Sequence, residues 1–129
     1  MNPAEQDQDL AATLADLAAG KAVLVVDDLA RPSRGELCVA GDLTTADHVG
    51  FMAVHARGLV CLAMVPGAFR RLGIPLMPAD RGPEGGIAYG ISFEAREGVS
   101  TGISAADRAE TIRVAVDSRS GPGLSLIHI

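Results

Sequence analysis

The sequence predicts an α/β or α+β domain, and three observations lead there. Segments with leucine or alanine at helical spacing alternate with short valine-rich runs of strand character. Hydrophobic residues make up 48% of the chain but aromatics only 3%, so a core must be packed largely from Ala, Val and Gly. No apolar run approaches the roughly 20 residues needed to span a bilayer. A chain of 129 residues holds one domain or part of one.

Taken in order, Glu5 to Ala19 carries Leu10, Leu14 and Leu17 on one helical face, with Gly20 as the stop. Lys21 to Val26 reads as a buried strand that ends in Asp27-Asp28. Carboxylates at the C-terminal edge of a strand stand where α/β sheets place ligands, and a solvated turn is the competing reading. Leu29 to Gly35 is a loop with Arg31, Pro32 and Arg34, and Glu36 to Ala40 is the next strand. Thr44 or Thr45 caps a helix running to about Ala56, with Val49, Met52 and Ala53 on its apolar side. His48 and His55 fall on roughly one face of that helix.

Gly58 to Met64 is expected to be a strand holding Cys61 as a small core residue. Pro66 to Leu72 suits a short helix opened by proline and closed by Gly73. Ile74 to Gly86, rich in proline and glycine, is a loop, and loops this long in compact domains are often functional. Ile87 to Phe93 has strand character, and Ser104 opens a helix to about Val116 with Ile112 and Val116 facing one way and Arg108 and Glu110 in water. Ser118 to Gly123 is turn-like, and Leu124 to Ile129 is an abrupt apolar end. That end suggests truncation or a non-native tail from a sequencing or reading-frame error, which separates residues 1–117, a partial domain, from 118–129.

Net charge is −5, which argues against a nucleic-acid partner. The first nine residues are acidic and polar, unlike a signal peptide, so a cytoplasmic protein with reduced, buried Cys38 and Cys61 is expected. These cysteines and the histidines show no paired metal-ligand spacing, so a zinc site is not supported. His55 then reads as a structural or site-rim residue.

The stretch from Glu97 to Arg108 is the strongest candidate site. Gly98 and Gly102 bracket Ser100 and Thr101, and Ser104 with Asp107 three residues on forms a capping-box-like start. Free backbone N–H groups and a helix N-terminus beside Ser100 and Thr101 would suit a phosphate, while the plainer reading is a well-capped helix after a turn.

These residues resemble the 3,4-dihydroxy-2-butanone 4-phosphate synthase family of riboflavin biosynthesis, from about Leu10 to Val116. The resemblance rests on Ala19-Gly20-Lys21 before a strand ending Val26-Asp27-Asp28, on Gly58-Leu59-Val60-Cys61, on Leu72-Gly73-Ile74-Pro75-Leu76-Met77, and above all on Glu97 to Arg108. It implies an α+β fold with a mixed sheet sandwiched between helices, assembled as a homodimer. It also implies conversion of the sugar phosphate ribulose 5-phosphate into formate and 3,4-dihydroxy-2-butanone 4-phosphate, with Mg²⁺ or Mn²⁺. Carboxylates acting as acid and base and a hard cation holding an enediolate are what such chemistry needs.

The sequence departs from the family at one loop. The family's Asp-Asp-x-x-Arg-Glu-Asn-Glu-Gly-Asp reads here Asp27-Asp28-Leu29-Ala30-Arg31-Pro32-Ser33-Arg34-Gly35-Glu36. The resemblance puts Arg31 and Glu36 against substrate and Ser100 and Thr101 along the pocket. Pro32 stands at the family's metal-ligand position, and Arg34 replaces a second glutamate. Proline has no side-chain oxygen and arginine reverses the charge, so a lost metal site is expected. The family's His-x-Ser-Gly appears as His55-Ala56-Arg57-Gly58, and a strand that usually carries threonines reads Ile87-Ala88-Tyr89-Gly90. The Arg-x-Gly-His-Thr-Glu stretch, which supplies a histidine metal ligand and phosphate contacts in the family, has no counterpart in these residues. Two outcomes are therefore expected to compete: a synthase-like enzyme, and an inactive or repurposed paralogue that binds a phosphorylated small molecule or a partner subunit.

Overall fold

A computed structural model describes residues 3–27, 34–78, 88–122 and 126–128. Among these the elements run α1 (Pro3–Ala18), β1 (Val23–Asp27), β2 (Arg34–Cys38), a 3-10 turn (Gly41–Leu43), α2 (Ala46–His55), α3 (Pro66–Leu72), β3 (Phe93–Ala95), α4 (Ala105–Val116) and β4 (Leu126–His128). The class is α+β. The described strands pair as two antiparallel ladders, β1 with β2 and β3 with β4. The chain divides into two compact units, Met1–Val60 and Cys61–Ile129.

In the first unit, β1 and β2 form a hairpin with Val23 opposite Cys38, Val25 opposite Glu36 and Asp27 opposite Arg34. The expected burial of β1 is not observed: Leu24, Val25 and Val26 are 62%, 53% and 48% exposed. Two strands alone bury neither face of a ladder, so a valine-rich run remains wet until something covers it. Leu10 and Leu14 on α1 are exposed as well. Thr45, not Thr44, is the N-cap of α2, while the Thr44 hydroxyl donates to the Ala40 carbonyl at 3.0 Å. Val49 is buried, as expected of the apolar face of α2.

The second unit holds the apolar cluster. Leu72, Ile74 and Ala115 are buried, packed against Leu62, Met64, Phe69, Ile91, Phe93 and Val114. Pro66 stands at the start of α3, where a missing N–H costs nothing, and Gly73 ends it at φ +66°, a left-handed conformation suited to glycine. A side chain at Gly73 would also press on Pro122.

Several expected features differ here. Gly58 to Met64 forms no ladder among the described residues, Leu59 is 84% exposed, and Cys61 is exposed rather than buried. Strand propensity is not enough without a neighbouring strand to take the N–H and C=O groups. Cys38 is half-buried. Of the expected strand to Phe93, Ile87 lies outside the described residues, Gly90 forms an isolated bridge with Leu76, and the ladder begins only at Phe93. The loop expected over Ile74 to Gly86 is described only through Pro78. The buried stripe of α4 runs through Asp107, Thr111 and Ala115, with Ile112 and Val116 half-buried, and Arg108 and Glu110 are half-buried rather than fully wet. Thr111 belongs to that stripe because its hydroxyl accepts the Ala95 N–H at 3.1 Å, tying α4 to β3.

Candidate functional site

The turn before α4 is built by one carboxylate. Ser104 caps the helix in the expected way, its Oγ accepting the Asp107 N–H at 3.0 Å. Asp107 does not return that bond as a capping box would. Its carboxylate reaches back to the loop and accepts the N–H groups of Ser100 (3.2 Å), Thr101 (3.1 Å) and Gly102 (3.1 Å). The Ser100 hydroxyl donates to Oδ2 at 3.1 Å and the Thr101 hydroxyl, more weakly, at 3.4 Å.

The N–H groups expected to be free for a phosphate are therefore taken, and an internal anion fills the concavity they make. Asp107 is only 6% exposed. Burial works against its charge, but hydrogen bonding from Ser100, Thr101 and Ser104 outweighs it and holds the carboxyl below the usual aspartate range.

The glycines make this wrapping possible. Gly102 sits at φ +73°, and an added Cβ there would overlap the Glu94 carboxylate. Gly98 is also left-handed, at φ +78°, and a Cβ there would meet Glu110. The Thr101 hydroxyl accepts the Ile103 N–H at 3.3 Å, so its oxygen is used on two sides. Ser100 and Thr101 are both exposed.

The other candidate residues lie in the first unit. Asp27 ends β1 opposite Arg34, and Glu36 on β2 is exposed opposite Val25. Asp28, Arg31 and Pro32 fall outside the described residues. His48 is part of a reciprocal cap, its Nδ1 accepting the Thr45 N–H and its own N–H reaching Thr45 Oγ1, both at 3.3 Å. His55 lies against Phe51, with ring centroids 4.4 Å apart. Both histidines thus have structural partners. Among the described residues no group of three or more His, Cys, Asp or Glu side chains is placed to hold a metal ion.

An open, mainly apolar groove of about 350 Å³ runs past Met64, Ala68 and Val116. Arg71 borders it but is committed to main-chain carbonyls, so the groove offers little to a phosphorylated ligand. The role of Asp107 was missed from sequence alone; the signal was two glycines bracketing a segment directly before a helix whose third residue is acidic.

Comparison with known proteins places this geometry. Residues 11–124 match the family described as 3,4-dihydroxy-2-butanone 4-phosphate synthase. The chain belongs to that family. A 3,4-dihydroxy-2-butanone 4-phosphate synthase of Neisseria meningitidis serogroup B is 44% identical over 109 residues, covering 84% of this chain and 30% of the relative. The crystal structure of a two-domain synthase from A. baumannii superposes with a TM-score of 0.79 at 38% identity, over 89% of this chain and 33% of that one. A synthase structure in complex with two magnesium ions superposes with a TM-score of 0.84 at 28% identity, over 92% of this chain and 55% of that one.

The chain thus spans about a third to a half of the length of these synthase-family proteins. The family fold agrees with the α+β class. No helix among the described residues is long and apolar enough to cross a membrane.

Proposed function

We propose that the protein acts in riboflavin biosynthesis as a 3,4-dihydroxy-2-butanone 4-phosphate synthase-type protein whose ligand is ribulose 5-phosphate. The observation that carries this is the family match over residues 11–124, with the turn from Gly98 to Asp107 fully formed within it. In this reading Arg31 and Glu36 contact the sugar phosphate, Asp27 and Asp28 shape the acidic loop, and Ser100 and Thr101 line the pocket. The finer architecture is the family's mixed sheet between helices, in a cytoplasmic homodimer.

The family reaction begins with proton abstraction beside a carbonyl and ends with loss of the terminal carbon as formate. A general base within hydrogen-bond reach of that proton is the minimum requirement, and a carboxylate can serve. Glu36 and the Asp27-Asp28 pair are this chain's candidates.

The residues present do not fit a magnesium ion held as the resemblance implies. Proline at position 32 has no side-chain oxygen to offer, and Arg34 brings a guanidinium opposite Asp27 across the hairpin. A hard cation selects carboxylate and water oxygens, and a neighbouring guanidinium competes for those carboxylates. The same observation favours a second reading, a catalytically inactive or repurposed paralogue that binds a phosphorylated small molecule or a partner subunit.

Formate release from ribulose 5-phosphate, with and without Mg²⁺ or Mn²⁺, separates the two. Turnover at about 1 s⁻¹ or faster establishes an enzyme. Calorimetric binding of ribulose 5-phosphate without turnover favours the binder, and neither binding nor turnover defeats ribulose 5-phosphate as the ligand in both readings.

A further inference from the structure

The turn from Gly98 to Gly102 has the backbone of an anion site and already contains an anion. Three consecutive N–H groups converge on one carboxylate, which is where a phosphate oxygen would otherwise sit. The hydroxyls follow from this. A serine hydroxyl has one proton and two lone pairs, and Ser100 directs its proton to Asp107 Oδ2. What exposed Ser100 offers outward is therefore lone pairs. Thr101 is held likewise, donating to Asp107 and accepting from Ile103, with one lone pair left.

A phosphate dianion needs donors. Here it would meet acceptor oxygens backed by a buried carboxylate held in its charged form. A sugar hydroxyl, which brings its own proton, is the complementary group.

We infer that Asp107 is a positioning residue that closes the Ser100–Gly102 turn to phosphate and presents Ser100 and Thr101 as hydrogen-bond acceptors for the hydroxyl-bearing part of the ligand. This rests on the reading that those two residues line the ribulose 5-phosphate pocket.

Amide resonances of Ser100, Thr101 and Gly102, followed in the full chain, test it. In the unaltered protein, inorganic phosphate leaves these resonances in place and ribulose 5-phosphate moves them. In Asp107→Ala the vacated concavity takes up added formate, which moves the same resonances. Ribulose 5-phosphate then binds about tenfold more weakly, and formate restores much of the loss. A purely structural defect would not be repaired by a small carboxylate.

Saturable movement of the turn resonances by inorganic phosphate in the unaltered protein overturns the inference. So does a folded Asp107→Ala that ignores formate. If Asp107→Ala does not fold, Asp107→Asn keeps the shape but turns an amide NH₂ toward donors, and unchanged ribulose 5-phosphate affinity in that variant overturns the inference equally. Calorimetry separates the two levels. If ribulose 5-phosphate does not bind at all while the phosphate and formate arms behave as stated, the ligand reading and the hydroxyl assignment fall together, and closure of the turn by Asp107 stands.

Discussion

Arg71 donates through Nη2 to the carbonyl of Ala115, 3.0 Å away and 44 positions along the chain. Its Nη1 serves Asp117 O at 2.9 Å and Ser120 O at 2.5 Å. The last turn of α3 thus supplies the donors that the C-terminus of α4 lacks, since the final carbonyls of a helix have no partner within it.

Replacing Arg71 with methionine keeps most of the side chain's bulk and removes all three bonds. A loss of about 2 kcal/mol in unfolding free energy is expected, because hydrogen bonds from a charged donor are worth more than neutral ones. Arg71→Lys should recover less than half of it, since one ammonium cannot span the three carbonyls as a planar fork does. Urea denaturation of the three proteins checks this.

Leu72 is fully buried beside Ile74 and Ala115. Leu72→Ala should cost about 2–5 kcal/mol, the range for a leucine removed from a packed core. Domains of this size are stable by only about 5–15 kcal/mol, so the variant should show a much lower urea midpoint. A midpoint unchanged within error would mean that the cluster around Leu72 contributes little to stability.

Local caps give a graded series. Ser104→Ala removes the acceptor for the Asp107 N–H and should cost about 1 kcal/mol, and Ser104→Gly less. Gly102→Ala should cost about 1–3 kcal/mol, because alanine must adopt a left-handed backbone and also displace Glu94. Thermal melts of the three variants should therefore place Gly102→Ala at or below Ser104→Ala.

Acid sensitivity should centre on Asp117. Arg119 donates to its carboxylate from both the side chain and the backbone, bringing its pKa down from 3.8 to about 2. A folded-state pKa below the unfolded value adds stability that is fully present above about pH 4 and is lost as pH falls towards 2. Asp107, also lowered, contributes with the same sign. Melting temperature should fall across that window in the wild type and fall less in Asp117→Asn, and the difference should shrink at high salt because the Arg119 side chain is 88% exposed.

What could be read from the chain follows how far each feature depends on distant residues. Pro66 to Gly73 and the Ser104 cap are local devices, with proline, glycine and serine acting within one turn, and the structure has them at the expected positions. The strand expected over Gly58 to Met64 needed a partner that propensity does not reveal. The burial expected for Val25 and Val26 needed a second layer. At the turn, sequence showed the glycines, the hydroxyls and the acid. Which donors Asp107 would choose depended on the loop folding back over the start of α4, a geometry set by two left-handed glycines together. The loss of carboxylates at positions 32 and 34 was legible at once, because it concerns donor chemistry and not placement.

The wet, valine-rich face of β1 has a practical consequence. Among the described residues, Leu24, Val25 and Val26 sit in a two-stranded ladder whose outer edges pair with no further strand. Stored concentrated, this polypeptide should turn cloudy through edge-to-edge stacking. A lysine introduced at position 25 should keep the solution clear for longer.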